Sequence, residues 1–318
     1  MAVNTLSTSS TNGVKTRKLS RFSKQEITWG YIFLSPWIVG FLIFTLAPML
    51  ASLYFSFTNY NPIHAEDMQL IGLANYLRLF SDPMVSNSIL VTLRFTLISV
   101  PLSIILPLGL AVMVNNPHLI GKNFFRSIFY MPYLIPVVVN VMVWGGVLNG
   151  NSGWVNYFLQ QIFNIDGPRW FEDAMWVLPA LTIMGFWGVG NTMLTMLSGL
   201  QNVPTELYEA AKVDGSGPWT TFVNITVPMI SPIIFYNLVL AVIGAFQYFI
   251  QAYIISNGRG DPDGATMFYN LYLYKTAFGY LDMGYGCTLA WVMFIVVMVL
   301  TLALFLTQKK WVFYAGGD

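Results

Sequence analysis

Charge is scarce in this chain of 318 residues. Only 9% of its residues are Asp, Glu, Lys or Arg, and 56% are hydrophobic. A soluble domain is usually about a quarter charged, so the composition excludes an ordinary soluble fold and indicates an integral membrane protein. The formal net charge of +1 gives no basis for binding nucleic acid.

Groups that catalyse reactions or bind metals are equally scarce. The single cysteine, Cys287, excludes an internal disulfide and argues against a metal cluster. His64 and His118 lie far apart and outside any HExxH pattern, which favours solvated loop residues. No G-x-x-x-x-G-K-[ST] string occurs, so ATP, if it drives this protein, must bind another subunit. We therefore expect no catalytic, cofactor or metal site in this chain and do not expect an enzyme.

Six long intervals without charge are present instead. A spanning helix needs roughly 20 mainly apolar residues, and each interval is long enough to supply one. The sequence therefore predicts an all-α integral membrane protein with six transmembrane helices near residues 28–56, 88–114, 124–148, 174–199, 224–256 and 285–307.

The flanking segments indicate how the chain is oriented. Residues 1–26 are basic and rich in Ser and Thr, which predicts a disordered tail rather than a cleaved signal. Residues 27–314 form the predicted six-span domain, and residues 315–318 form a short C-terminal tail. With both termini in the cytoplasm, most Lys and Arg residues lie on the inner side, as the positive-inside rule requires.

One polar stretch interrupts the apolar sequence, between the fourth and fifth predicted spans. Residues 206–214 predict a short helix with Pro204 near its first turn, where a missing N–H is tolerated. Gly215 is expected to end this helix with a positive φ, and a second helix start follows at residues 216–218. Such a short helix is marginal alone, so another element must hold it. Ala210 and Ala211 offer a smooth face for that contact.

The spacing in this stretch resembles the EAA signature of permeases from binding-protein-dependent ABC importers. Glu209, Ala210 and Ala211 are followed by Gly215, and after nine further residues by Ile225 and then Pro228. The one departure is Val227, where the family more often has Leu. The resemblance implies a cytoplasmic coupling helix that sits in a groove of an ATPase subunit. The residues it assigns to ATPase coupling are Glu206, Glu209, Ala210, Ala211, Asp214, Gly215, Ile225 and Pro228.

Further strings extend the resemblance along the chain, toward the carbohydrate branch of the family. They include FLSPWIVGFLIFTLAPML in the first span, SFTNYNP after it, GLANY at residues 72–76 and KKWVFY at residues 309–314. The loop at residues 257–262 departs from the family's tighter Gly-Gly-Pro. The resemblance implies a second, different permease subunit, two ATPase subunits that bind ATP and Mg²⁺, and an extracytoplasmic sugar-binding protein. It also implies the cell (inner or plasma) membrane as the location.

Polar and aromatic groups within the spans are candidates for the substrate pathway, because such groups are costly in a membrane. In the fourth span they are Trp187, Gly188 and Asn191, and in the fifth they are Gln247, Tyr248 and Gln251. Gln247 and Gln251 are four residues apart and are expected to share a helix face. Amides and aromatic rings without fixed charge suit a neutral sugar. The alternative is that the glycines pack helices together and the amides bond across helices.

Other functions remain open at this point. Arg94 is predicted near the outer end of the second span, where it either snorkels to the surface or binds an anion such as glycerol phosphate. An ion-coupled transporter would need acidic residues or His within the spans, and none is predicted there. A membrane-embedded enzyme would need converging catalytic groups, which the sequence does not show.

Overall fold

The computed structural model describes residues 21–314, with side chains described from residue 25. Most of the predicted basic tail and the predicted C-terminal tail, residues 315–318, lie outside the described residues. Regular structure in the described part is helical, apart from one isolated bridge between Thr58 and Leu70. The α-helices are α1 Arg21–Phe41, α2 Ala47–Ser56, α3 Ala74–Arg78, α4 Pro83–Asn115, α5 Lys122–Tyr130, α6 Val137–Val147, α7 Trp154–Phe163, α8 Val177–Phe186, α9 Gly190–Gln201, α10 Thr205–Val213, α11 Pro218–Thr221, α12 Val227–Phe246, α13 Ile250–Ile255, α14 Tyr269–Tyr274 and α15 Met283–Gln308.

The chain divides into two compact units, residues 1–52 and 53–318. In the described part of the first unit, α1 continues through a π-helical turn, Leu42–Leu46, into α2. The helical run Gln25–Ser56 is long and apolar enough to cross a membrane, as the sequence predicts for residues 28–56. Most side chains of the first unit from residue 25 onward are exposed, as expected for a helix that needs an apolar environment.

The second unit contains the other predicted spans. Three are single long helical runs, Pro83–Asn115, Pro218–Ile255 and Met283–Gln308, which match the predictions at residues 88–114, 224–256 and 285–307. Four helical runs in the described part of the chain are candidate spans, and the number is six when each of two bent helix pairs is counted as one span. The predicted all-α membrane fold is therefore confirmed.

The third and fourth spans are broken, although the sequence predicts them as continuous at residues 124–148 and 174–199. The helical run Lys122–Leu134 meets α6 at 103°, and α8 meets α9 at 51°. The first break follows from Pro136, because the residue before a proline is driven to extended backbone, and Ile135 has ψ 127°. The second break is a tight turn in which the Gly188 N–H donates to the Gly185 carbonyl.

The fifth span begins earlier than predicted and is interrupted near its other end. It begins at Pro218 rather than residue 224, because Pro218 starts α11 and a π-helical turn, Phe222–Thr226, carries the helix into α12. Near its other end the α-helix stops at Phe246, and Phe249 has φ −147° and ψ −63°. At this break, the ring of Tyr248 packs against two other aromatic rings, with centroid distances of 4.4 Å to Phe95 and 4.9 Å to Phe268.

Close helix packing positions the spans around α4, which lies against α9 and α12. A side chain at Gly190 would clash with the backbone of Phe129 and Tyr130, and one at Gly199 would clash with Ile233. These glycines therefore bring α9 into direct contact with α5 and α12. The end of the spans that carries α10 is called the α10 end below, and the other is called the opposite end.

A polar cluster joins four helices at the opposite end. Asp82 caps α4 by accepting from the Met84 N–H, and it also accepts from the hydroxyls of Tyr272 at 2.6 Å and Tyr285 at 2.9 Å. The cluster ends in an ion pair of 2.6 Å between Arg78 and the α15 cap, Asp282, and the Arg78 guanidinium lies 3.9 Å from the centre of the Tyr285 ring.

The same contacts set the ionisation of this cluster. Partial burial acts to raise the pKa of Asp82, but the hydrogen bonds from the two tyrosines outweigh burial and lower this pKa. Burial acts to lower the pKa of Arg78, but the bond to Asp282 outweighs it and raises this pKa. These contacts therefore favour the charged forms of Asp82 and Arg78.

Candidate functional site

The predicted coupling helix is present as α10, Thr205–Val213, one residue earlier at each end than the sequence suggests. Gly215 has φ +73°, as predicted for the residue that ends the helix. The Gly215 N–H donates to the Lys212 carbonyl, and the Ser216 N–H donates to the Ala211 carbonyl at 2.9 Å. These two bonds form a Schellman motif, which needs a left-handed residue at this position.

Most of α10 faces outward from this chain. Ala211 is its one buried residue, whereas Glu206, Glu209 and Ala210 are exposed and Val213 is 88% exposed. The two alanines therefore do not form one exposed face as expected. Ala211 packs against this chain, and Ala210 lies on the surface. The exposed acidic and apolar side chains leave a surface that a partner can cover.

The remaining residues of the signature lie in helical backbone after the loop. Ile225 belongs to the π-helical turn and Pro228 to the first turn of α12, and both are half-buried. Tyr208 ties α10 to this segment, since its hydroxyl lies 3.1 Å from the Thr226 hydroxyl. The signature therefore describes one folded unit rather than an exposed linker.

Two cavities lie within the spans, and Tyr248 and Gly244 line both. The larger has a volume of about 840 Å³ and is lined by Gln247 and Gln251 among others. Their spacing predicts that these glutamines share one helix face. This prediction is wrong, because the α-helix is interrupted between them. Both nevertheless line the larger cavity.

The smaller cavity has a volume of about 360 Å³ and is lined by Asn191 near the start of α9. Asn191 and Tyr248, taken from different predicted spans, are thus brought to one site. The Tyr248 hydroxyl is buried, and no hydrogen-bond partner for it occurs in the described part of the chain. Because a buried hydroxyl without a partner is costly, this group is available to a polar ligand.

Sequence reasoning missed several polar side chains that line the same cavities. Ser99 and Ser103 stand four residues apart on α4, and the Ser99 hydroxyl is also buried without a partner among the described residues. Their spacing within a span is a signal that could have identified them. Other missed polar lining residues are Thr192, Thr195, Tyr236, Asn237, Asn270 and Tyr274. The residues that line either cavity include no Asp, Glu, Lys, Arg or His.

Trp187 and Gly188 are not among the residues that line the two cavities. Trp187 packs edge-on against Trp144 of α6, with 6.0 Å between ring centroids. Gly188 forms the bend between α8 and α9, and a side chain there would meet only the Gly185 carbonyl, at 3.8 Å. Trp187 therefore packs between spans, whereas Gly188 belongs to the turn and makes no close contact that a side chain would disturb.

Arg94 lies deeper in its span than predicted. It follows Pro83, the first residue of α4, by eleven residues, a distance of about 16 Å along a helix. Its side chain is exposed, it forms no ion pair within the described residues, and it lines neither cavity.

Two further features were not anticipated. A pocket of about 430 Å³ lies behind α10, where Asn115 and Asn116 at the end of α4 meet Tyr208 and Ser216. Elsewhere, the ligand atoms of His64, Glu66 and Asp67 lie within 4.8 Å of one another, but all three residues are exposed.

Apolar spans around uncharged polar cavities are the features of a membrane permease. The chain belongs to the family described as the binding-protein-dependent transport system inner membrane component, whose sequence profile matches residues 103–310.

Individual relatives align along nearly the whole chain. It is 40% identical over 308 residues to the probable ABC transporter permease protein YesP of Bacillus subtilis (strain 168), covering 96% of this chain and 99% of that one. It is 31% identical over 285 residues to the lactose transport system permease protein LacF of Rhizobium radiobacter, covering 88% and 94%. Its fold is similar to that of a chain in the crystal structure of a bacterial alginate ABC transporter, with a TM-score of 0.77, 21% identity and coverage of 91% and 97%.

Proposed function

We propose that this chain is one permease subunit of an ABC importer for a neutral mono- or oligosaccharide. Its relatives are named for lactose transport and as an ABC transporter permease, which supports the substrate class. The observation that carries the proposal is that Tyr248 lines both cavities together with uncharged amide and hydroxyl side chains, and that its buried hydroxyl has no hydrogen-bond partner among the described residues. Neutral polyols offer matching donors and acceptors.

The driving force comes from partners in this proposal. Two ATPase subunits bind ATP and Mg²⁺, and one of them receives the exposed face of α10 in a groove. A second, different permease subunit completes the pathway, and an extracytoplasmic binding protein delivers the saccharide. A crystal structure of the alginate transporter contains a periplasmic protein bound to an alginate pentasaccharide, which supports a partner of this kind.

The proposal places the α10 end and both termini in the cytoplasm, where the Lys/Arg bias favours them. In a Cys287→Ser background, cysteines at Ser10 and Ser216 should react with an impermeant maleimide only after permeabilisation, whereas one at Ser81 should react in intact cells. Labelling of Ser216→Cys in intact cells, with Ser81→Cys protected, would reverse the orientation.

A charged solute such as glycerol phosphate is less well supported. Arg94 is the basic residue that such a solute would need within the spans, and it does not line either cavity. Among the described residues, no Lys, Arg or His lines either cavity. A neutral solute therefore fits these cavities better.

The pathway is tested by substitutions that remove single polar groups. Asn191→Leu and Tyr248→Ala should each impair uptake or shift specificity across a panel of labelled neutral saccharides, while the complex still assembles. Tyr248→Phe keeps the ring packed against Phe95 and Phe268 and loses only the hydroxyl, so it should retain assembly and lose part of the uptake.

Tyr253→Phe is the matched control, because Tyr253 lies outside both cavity linings and should transport as the wild type does. Unchanged uptake and selectivity in Asn191→Leu, Tyr248→Ala and Tyr248→Phe would favour a packing role for these residues.

A further inference from the structure

An uncharged segment follows α6 at the opposite end of the spans. Residues 148–165 include no Asp, Glu, Lys, Arg or His, although they connect two spans outside the apolar helices. Within this segment lies α7, Trp154–Phe163, a helix with two different faces. A segment that simply crossed water would be expected to carry charge, so the lack of charge calls for an apolar or interfacial environment.

One face of α7 is fixed against the rest of the chain. Val155 and Leu159 pack on a cluster that contains Leu148, Trp170 and Ala180. Asn156, which is buried, donates to the Gly150 and Pro168 carbonyls and accepts from the Trp170 ring N–H at 2.7 Å. The helix is therefore held in place by its own chain.

The other face carries three aromatic side chains that the described part of the chain leaves uncovered. Trp154, Tyr157 and Phe158 are 71%, 61% and 55% exposed. Their spacing of three and four residues puts them together on one side of the helix. These three residues are called the aromatic face of α7 below.

The charged residues of the same connection lie on the other side of α7. They follow the helix and are Asp166, Arg169, Glu172 and Asp173. The backbone that carries them passes against Asn156, since a side chain at Gly167 would clash with the Asn156 amide and the Pro168 carbonyl accepts from it. Apolar and charged groups are thus separated across α7, as in helices that lie in the plane of a membrane surface.

The depth of α7 is set by its neighbours. The cluster beneath it includes Trp144, three residues before the end of α6, and Ala180, three residues after the start of α8. The helix therefore lies within about one helical turn, roughly 5 Å, of the ends of two spans. Trp and Tyr are enriched at this level, where one part of the ring meets lipid and the polar atom meets water.

We propose that the aromatic face of α7 lies in the lipid headgroup region of the leaflet opposite the α10 end, and anchors the broken third and fourth spans there. A lipid surface accounts for the aromatic composition, the lack of charge and the depth together. A water-soluble partner or another membrane subunit would instead cover the same face with protein. This inference does not depend on the identity of the transported solute.

Spin labelling distinguishes these environments. In a Cys287→Ser background, a nitroxide is attached to single cysteines at Tyr157, Phe158, Val155 or Asp173. The full chain is reconstituted in phosphatidylethanolamine–phosphatidylglycerol vesicles, both alone and with its co-purified subunits. Collision rates are measured with oxygen, which partitions into lipid, and with a nickel chelate, which stays in water.

We expect the labels at Tyr157→Cys and Phe158→Cys to collide several-fold more often with oxygen than with the nickel chelate, in both preparations. The Asp173→Cys label should show the reverse preference, and the Val155→Cys label should be protected from both reagents. Access of the nickel chelate to positions 157 and 158 equal to that at 173 would overturn the proposal in favour of a water-facing surface. Protection of positions 157 and 158 from both reagents would overturn it in favour of a protein partner.

Discussion

At the opposite end of the spans, five polar and aromatic side chains join α3, α4, α14 and α15, whereas at the α10 end a nine-residue helix keeps a single residue buried. The two carboxylates of the polar cluster at the opposite end have partners within the chain. Asp82 and Asp282 each cap a helix and also bind a side chain of a neighbouring element. In α10, by contrast, Glu206 and Glu209 are exposed. One end is thus stabilised within the chain, and the other presents a surface for a partner.

The largest expected effect on folding is at Tyr285. Its side chain is fully buried, its hydroxyl donates to Asp82, and Arg78 lies over its ring. Tyr285→Ala should cost about 3–5 kcal/mol of stability and strongly reduce the amount of folded protein in the membrane. Tyr285→Phe keeps the ring and should cost about 1 kcal/mol, since Asp82 is partly solvated.

Thermal unfolding of the detergent-solubilised variants, followed by size-exclusion chromatography, measures this difference. Tyr280→Ala is a suitable control, because Tyr280 is an exposed aromatic residue in the same region of the sequence. Equal melting temperatures for Tyr285→Ala and Tyr280→Ala would show that the cluster does not hold the opposite end together.

A smaller effect on the stability of the folded protein is expected when the pH is lowered. The pKa of Asp82 is lowered in the folded state, while an unfolded Asp titrates near about 3.9. The charged carboxylate therefore contributes stability above about pH 4, and this contribution is lost as the pH falls through the lowered pKa. Asp82→Asn removes the titrating group, so its melting temperature should be lower than that of the wild type at pH 7 and should approach it in acid.

The difference in melting temperature between wild type and Asp82→Asn, measured from pH 7 to pH 3, checks this linkage. Glu172→Gln serves as the control, since Glu172 makes only an exposed pair of 3.7 Å with Arg169. A constant difference across this range would contradict a role for Asp82 ionisation in stability.

The sequence predicts the local structure of the loop around α10 more completely than the arrangement of the residues that line the cavities. The conformation of the loop is determined by residues that are close in sequence. These local features are the positive φ of Gly215, the short helix before it and the helix start after it. The cavities depend on contacts between distant segments. Asn191 and Tyr248 meet only after α8 and α9 bend and the fifth span breaks, and neither the bend angle nor the break follows from hydrophobicity.

The same distinction explains the errors. The spacing of Gln247 and Gln251 predicts one helix face, but the helix is broken between them where Tyr248 packs against Phe95 and Phe268. The polar cluster at the opposite end was not predicted, because Asp82 and Tyr285 are 203 residues apart in the chain. Span positions were predictable, since the length of an apolar run is a local property.

The most direct test of the account concerns coupling through α10. Glu209 is exposed, so Glu209→Lys should cost no more than about 0.5 kcal/mol of stability in this chain. Reversing a charge at an interface can cost several kcal/mol, so the same change should weaken ATPase binding. Gly215→Val should act by a different route, because nothing lies within 4 Å of the new side chain and only the φ of +73° opposes it.

The matched controls lie close by and at the opposite end. Gly217 also has open space around it but has φ −71°, so Gly217→Val is free of the backbone strain that Gly215→Val introduces. Glu172→Lys makes the same charge reversal on the exposed connection at the opposite end. Both controls should retain transport.

The measurement is ATPase co-purification together with saccharide uptake at matched membrane abundance of each variant. We predict that the Glu209→Lys and Gly215→Val proteins insert normally in the membrane, lose ATP-driven uptake and co-purify with less ATPase. The Gly217→Val and Glu172→Lys proteins should match the wild type in all three respects. Normal uptake and a normal ATPase yield in both Glu209→Lys and Gly215→Val would contradict the assignment of α10 as the coupling helix.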